Sequence, residues 1–403
     1  MRKRAIEVVG VVAVLAVVAV LLQLAPIPAG GQEPEAAPPT PWGDPDLQGI
    51  WTTNYDTPLE RPARYADREF FTDEERAAID AERTRLLDTH RSERGSEQDV
   101  GGAYDASIFL THKHLGRRTS LIIDPPDGQL PPVAADLQQR RDESNEYQAA
   151  LLQSADACRT ERPGCPPPGP RSSLYEETPP HYLTRSINRA YNPEDRSLSE
   201  RCLGARLPDF GSITGFFLQI VQSPGNVAIF YDTGQGQGWQ RVIPVTDRPH
   251  LTPGVRQWHG DSRARWEGET LVVDVTNFSP KTDFYGSRES LHLVERWTRL
   301  DAETLEYAAT MEDPTAWTRP WTVTFELSLQ SNEANRIYKE PRCHEGNYGL
   351  PALLAGARAG ERAFAAGEGP DPATLCIAGG AAACGGFGGG FAETGEEADP
   401  LLR

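Results

Sequence analysis

The chain lacks the surplus of positive charge that a phosphate backbone attracts. Its 403 residues carry 40 Lys and Arg against 58 Asp and Glu, a formal charge of −18. That balance argues against a nucleic-acid partner, which needs a basic face, and against an anionic membrane surface as the main target. No C-x-x-C pair occurs, so zinc-ribbon and thioredoxin chemistry have no support, and without C-x-x-C-H there is no covalent haem. H-E-x-x-H, an EF-hand loop and a P-loop are missing. So is the G-x-S-x-G nucleophile elbow. Gly234, Gly236 and Gly238 mimic a phosphate-binding loop, but no helix follows to supply its N-terminus, and they read as a hairpin turn. The 37 Gly and 34 Pro stay below the roughly 25–30% of a disordered chain. With 38% hydrophobic residues there is enough material for a sizeable core.

What is present begins with an address. Met1-Arg2-Lys3-Arg4 is followed by an apolar run from Val8 to Leu22, then Pro26, Pro28 and the small residues Ala29-Gly30-Gly31. This is the layout of a secretory signal peptide over residues 1–31. The run is long for a signal and short for a membrane span, which takes about 20 apolar residues. An uncleaved inner-membrane anchor is the alternative, and a membrane partner follows only if the segment is retained. Export to the periplasm or beyond makes the six cysteines read as disulfides. Cys158 and Cys165 enclose a short Pro-Gly loop. Cys202 and Cys343 flank the most regular part of the chain.

Residues 32–44 form a linker, and 45–355 a single β-barrel-like domain with a helical and Pro-rich insertion at about 72–200. Thr72-Asp73-Glu74-Glu75 is a capping box. The helix it opens is expected to run to about His90. Asp136 to Gln153 is a second, charged helical stretch. Arg118 to Ile123 reads as a strand. From Phe216 the pattern becomes short β-rich runs: 216–222, 227–232, 239–245, 265–278, 291–299, 304–311, 321–329 and 336–342. Trp321 to Leu329 alternates strictly, the mark of a half-buried strand. Short strands without intervening helices predict a mainly β fold, an antiparallel sheet or barrel with few peripheral helices. Residues 356–403 are expected to be a short helix and then a disordered Gly-rich, acidic tail.

Two resemblances follow from particular residues. The G-x-W of Gly49-Ile50-Trp51 is similar to the first strand of lipocalin and other calycin barrels, which implies that Trp51 closes the barrel base. PDLQGIW, SLIIDPPDG, RPHL, GDSRARWEGETLVVDVTNF, LHLVERWTR and CHEGNYG occur in that order. Together they resemble a widespread family of secreted bacterial proteins without an assigned activity, matched from about Pro45 to Ala355.

Candidate sites lie within these segments. Asp261, Arg263, Arg265, Trp266 and Glu267 make either a tight hairpin of mutually paired charges or a barrel-mouth loop presented to a ligand. In LHLVERWTR, Glu295 shares an apolar face with Leu291, Leu293 and Trp297. A buried carboxylate is costly unless paired or protonated. It is either a structural partner of a neighbouring Arg or an acid/base group. Asp274 is expected to oppose Val294, with His292 and Arg296 diagonal to it. Cys343-His344-Glu345-Gly346-Asn347-Tyr348 is the densest polar cluster. It reads as a disulfide-pinned strand end or as a spot for a general base or a metal ligand. His112 and His114 place two rings on one face of a strand, a weak metal candidate for which His250, His259 or Asp105 would be further ligands by residue type alone. No cofactor is implied, and a divalent metal is not favoured.

The expectation is an exported β-barrel holding a small apolar or amphipathic molecule, with Trp51, Asp261, Arg263, Trp266, Glu267, Trp297, Asn347 and Tyr348 as contacts. The alternative is a hydrolase, isomerase or lyase using His344, Glu345 or Glu295. A third, weaker reading is an envelope assembly protein with its partner on the tail.

Overall fold

A computed structural model describes residues 39–53, 55–89, 114–159, 165–210, 217–234, 237–330 and 343–377. All fall within one compact unit, residues 37–403. The signal segment, His112, the 336–342 run, the side chain of Glu345 and the tail after residue 377 lie outside the described residues.

The fold is mainly β. Strands β1 (Gly49–Thr52), β2 (Tyr55–Asp56), β3 (His114–Leu115) and β4 (Ile122–Asp124) come first, with helix α1 (Asp73–Thr89) between β2 and β3. Helix α2 (Ala135–Leu152) follows. Then come β5 (Phe217–Ser223), β6 (Asn226–Gly234), β7 (Gln237–Pro244), β8 (Asp261–Glu267), β9 (Thr270–Thr276), β10 (His292–Arg299), β11 (Thr304–Glu312) and β12 (Trp321–Leu329). A short helical turn α3 (Cys343–Gly346) and helix α4 (Gly349–Ala365) complete the elements.

Nine strands form an antiparallel path in the order β7-β6-β5-β1-β12-β11-β10-β9-β8. The two ends approach each other, so the sheet curls into a nearly closed barrel. A single parallel bridge, Val245 to Ala264, joins them, with the Thr246 N–H donating to the Ala264 carbonyl at 2.9 Å. β4 adds a short pairing on β12.

The barrel forms because its strands alternate. Leu271, Val273 and Val275 of β9, Leu293, Glu295 and Trp297 of β10, and Leu305, Tyr307, Ala309 and Met311 of β11 are all buried. Residues of opposite parity on these strands are more exposed, as a period of two requires, save the buried Val272. Trp51, fully buried, donates its indole N–H to the Leu47 carbonyl at 3.0 Å. The Arg299 guanidinium lies 5.2 Å from its ring centroid and donates to the Asp46 carbonyl at 2.9 Å. An aromatic ring, a cation and a backbone carbonyl thus fasten the chain entry to the end of β10.

The capping box is formed: the Thr72 N–H donates to Glu75 Oε2 at 2.9 Å, and the Glu75 N–H to Thr72 Oγ1 at 3.2 Å. The expected strand at 118–123 is split. Phe70 bridges Arg118, the Thr119 N–H donates to the Glu69 carbonyl, and only Ile122–Asp124 pairs with β12. Ser120 turns its hydroxyl onto the Ile122 carbonyl at 2.9 Å, a local bond that competes with the ladder. The C-terminal helix starts at Gly349, earlier than expected.

Among the described residues the disulfides Cys158–Cys165 and Cys202–Cys343 are formed. They point to an oxidising, extracytoplasmic environment. Among the described residues no helix is long and apolar enough to cross a membrane.

Candidate functional site

The wall made by β7 to β10 carries polar groups on both faces. Inside, β7 presents Trp239, Arg241 and Ile243 to the core. Arg241 reaches β10, where its Nη2 donates to Glu295 Oε2 at 2.5 Å. The Tyr307 hydroxyl of β11 donates to the other oxygen at 2.9 Å. Glu295 is fully buried, and its register neighbours are Ala309 and Val273. The small Ala309 leaves room for the larger partners. Burial works against the charge of Arg241, but the facing carboxylate outweighs it and raises the guanidinium pKa. Burial likewise pushes the Tyr307 and Tyr231 phenols upward, so both stay neutral. Of the two readings open for Glu295, the geometry shows the pair with a neighbouring Arg, and both carboxylate oxygens are engaged.

Beside this pair the rings of Tyr231 and Trp239 stack at 4.0 Å, and those of Trp239 and His259 at 3.9 Å. His259 arrives there because Gly260 turns the chain at φ +69°, where a Cβ would meet the Thr276 carbonyl at 2.7 Å. Only glycine fits that approach. Burial, then the charge of Arg241, lowers the His259 pKa to about 4, against a hydrogen bond that the ring donates to the Ala205 backbone. At neutral pH the ring is uncharged. Three buried nitrogens of this group have no hydrogen-bond partner: His259 Nε2, Trp239 Nε1 and Arg241 Nε. Buried polar atoms are usually paired, so such a group of orphans in one place needs an explanation.

No protein-family model, curated protein or solved structure matches this chain.

The outer face of the same wall holds a second polar group. His250 lies on the segment between β7 and β8. Its Nδ1 is 3.0 Å from Asp261 Oδ2, and its Nε2 is 2.8 Å from Asp274 Oδ1. His292 Nε2 is 2.9 Å from Asp274 Oδ2, and its Nδ1 is 3.7 Å from Glu312. Arg263 donates to Asp261 Oδ1 at 2.6 Å. Hydrogen bonding from His292 leads the causes that lower the Asp274 pKa, and the same bond leads those that raise His292. Asp274 does oppose Val294 in the register. Its partners are the two histidines rather than Arg296, which instead donates to Glu267 at 3.0 Å.

The other sequence candidates are spread over the molecule. Glu267 is exposed and also accepts from Arg265 at 2.6 Å, so that end of the hairpin pairs its own charges. Trp266 is half-buried, with its indole nitrogen buried and unpartnered. Trp297 packs on Tyr307 at 4.3 Å. His344 and Tyr348 are exposed beside the Cys202–Cys343 bridge, and Asn347 donates to the Glu200 carbonyl at 2.7 Å. Among the described residues no contact joins His344 to Glu295. His114 faces Asp80 at 3.1 Å. No group of three or more His, Cys, Asp or Glu among the described residues is arranged to hold a metal.

Arg241, Tyr231, Trp239 and Tyr307 were not singled out by the sequence, and His259 and His250 only as histidines available by type. One signal was there. In QGWQRVIP, Arg241 shares a strand face with Trp239 and Ile243, a charge on an apolar stripe just like Glu295.

Proposed function

We propose that this is an exported β-barrel that binds a small apolar or amphipathic molecule next to the seam between β7 and β8. The observation that carries the reading is the group of orphaned buried nitrogens on His259, Trp239 and Arg241, set among stacked rings beside the buried Arg241–Glu295 pair. Two of the three are obligate N–H donors. A ligand with an apolar body and at least one acceptor oxygen would satisfy them, as small-molecule sites usually do with a few placed polar groups. The N-terminal signal layout and the disulfides support export. The G-x-W, with Arg299 over the Trp51 ring, supports kinship with calycin-like barrels, and the ordered motifs support the secreted family they resemble.

Binding is favoured over catalysis by the chemistry of the groups. A base with a pKa of about 4 is weak at neutral pH, where an effective general base sits near the working pH. Glu295 has both oxygens engaged.

Native mass spectrometry on the mature chain, purified without dialysis or chelator, tests the reading. The expected result is an organic adduct that a denaturing spray removes. Binding of a neutral apolar fluorophore, N-phenyl-1-naphthylamine, should quench with Trp239→Ala. A bare polypeptide mass together with no fluorophore binding would overturn the proposal.

A further inference from the structure

The segment from Thr246 to Gly260 joins β7 to β8 across the seam and carries His259 onto Trp239. Several contacts hold it to the barrel. The Asn277 amide donates to the carbonyls of Leu251, Thr252 and Val255 at 2.8–3.2 Å. Gln257 exchanges backbone hydrogen bonds with Asn277 and Ser279. Arg256 donates to the carbonyls of Phe278 and Glu289. None of these changes its proton count near neutral pH. His250 adds an imidazole to these contacts. It spans Asp261 of β8 and Asp274 of β9, and the Leu251 N–H donates to the same Asp261 oxygen at 2.9 Å.

The geometry sets the chemistry. Each nitrogen of His250 faces a carboxylate oxygen, so both contacts are hydrogen bonds only when both nitrogens carry protons. Asp274 divides its two oxygens between His250 and His292. With both rings protonated, Arg263, His250 and His292 balance Asp261, Asp274 and Glu312, and the group is neutral. Loss of the two imidazole protons leaves two uncompensated negative charges, in a chain whose formal charge is already −18. One of the two links from His250 must then fail, because a bare ring nitrogen repels a carboxylate. The charged groups facing this chain come from β8 (Asp261, Arg263), β9 (Asp274), β10 (His292) and β11 (Glu312). The segment's own Asp247 and Arg248 stand just before His250.

We infer that the Asp261–His250–Asp274–His292 chain is a proton-operated latch: protonated, it pins the β7–β8 segment over the seam through both nitrogens of His250; deprotonated, it holds the segment by one link fewer and loosens it. The inference rests on the ligand site proposed next to the seam. Asp274 also keeps the pair from failing in mild acid, since its carboxyl is held below the usual range by His292. Loosening therefore follows loss of an imidazole proton rather than protonation of Asp274.

Hydrogen exchange followed by mass spectrometry tests the latch in the intact chain, with rates corrected for intrinsic pH dependence. The readout is the Thr246–Val255 amides, Leu251 above all. Protection should fall by about fivefold between about pH 6 and about pH 9, the worth of one charge-assisted hydrogen bond at a half-exposed site. His250→Gln should abolish the pH dependence, and His292→Gln should shift it. Asn277→Ala should lower protection equally at both pH values, which shows that the segment reports faithfully. N-phenyl-1-naphthylamine binding is followed in parallel. Binding without any pH dependence of the segment overturns the latch and leaves the ligand reading standing. A pH-dependent segment with no binding at any pH overturns the ligand reading, and the latch then has no site to govern. Persistence of the pH response in His250→Gln overturns the assignment of His250, whatever the binding.

Discussion

Removing the Glu295 carboxylate should be among the most damaging single changes this barrel can receive. In Glu295→Ala the Arg241 guanidinium remains buried, with Tyr307 also deprived of its acceptor. Breaking a buried pair by deleting one partner costs about 3–5 kcal/mol, because an uncompensated charge is left behind. Deleting both charges is different. Arg241→Met with Glu295→Leu removes the Coulomb gain together with the desolvation cost, and leaves only the orphaned Tyr307 hydroxyl, about 1–3 kcal/mol. Adding Tyr307→Phe should return the protein to within about 1–2 kcal/mol of the parent, since a well-packed apolar replacement of a buried pair is often neutral. The order is single worst, double intermediate, triple mildest. Urea unfolding midpoints with the disulfides intact measure it, and circular dichroism confirms that each variant folds. A Glu295→Ala variant within about 1 kcal/mol of the parent would refute the reasoning, since the carboxylate would then be reached by water.

Three further outcomes are expected. His292 has its pKa raised by Asp274, so it adds stability that is complete below the unfolded value near 6.5 and is lost as pH rises through the folded value. Asp274 has its pKa lowered, so its contribution is complete above about 3.8 and is lost as pH falls through the folded value. His292→Gln should flatten the alkaline limb of a stability–pH curve. The change should be under about 1 kcal/mol, because the ring is 40% exposed and water screens it. Cys202→Ser with Cys343→Ser opens a link between residues 141 apart, worth roughly 5 kcal/mol by loop entropy, read as a lower unfolding midpoint relative to the oxidised parent. Trp51→Phe removes the indole N–H bond to Leu47 and weakens the contact with Arg299. It should cost about 1–3 kcal/mol in the same assay.

Much of the barrel was legible because each strand writes its burial in a period of two. The alternation of Trp321 to Leu329 and the hairpin at Ser223 to Asn226 both appear as read. The capping box was legible because its chemistry is local: Thr72 and Glu75 are three residues apart. What stayed hidden is what depends on the third dimension. Sequence placed Glu295 on an apolar face but could not name Arg241 as its partner, 54 residues away and across the seam. His250 and Asp274 are in the same position. Neither residue has a neighbour in sequence that betrays the bridge, and the outward Asp looked ready for the diagonal Arg296. Backbone competition explains the strand at 118–123, where Thr119 and Ser120 turn their hydroxyls onto nearby carbonyls.

The seam between β7 and β8 has a mechanical meaning. Parting any two neighbouring strands in the nine-strand path breaks a run of ladder hydrogen bonds, whereas widening the seam strains one bridge at Val245 and the side-chain reach of Arg241 to Ser262 at 3.4 Å and to Glu295 at 2.5 Å. The wall behaves as a split hoop rather than a closed ring. Its ladder is continuous everywhere except at one gap, so under the proposed binding function cargoes of different girth would be accommodated at that gap while the rest of the hoop keeps its register.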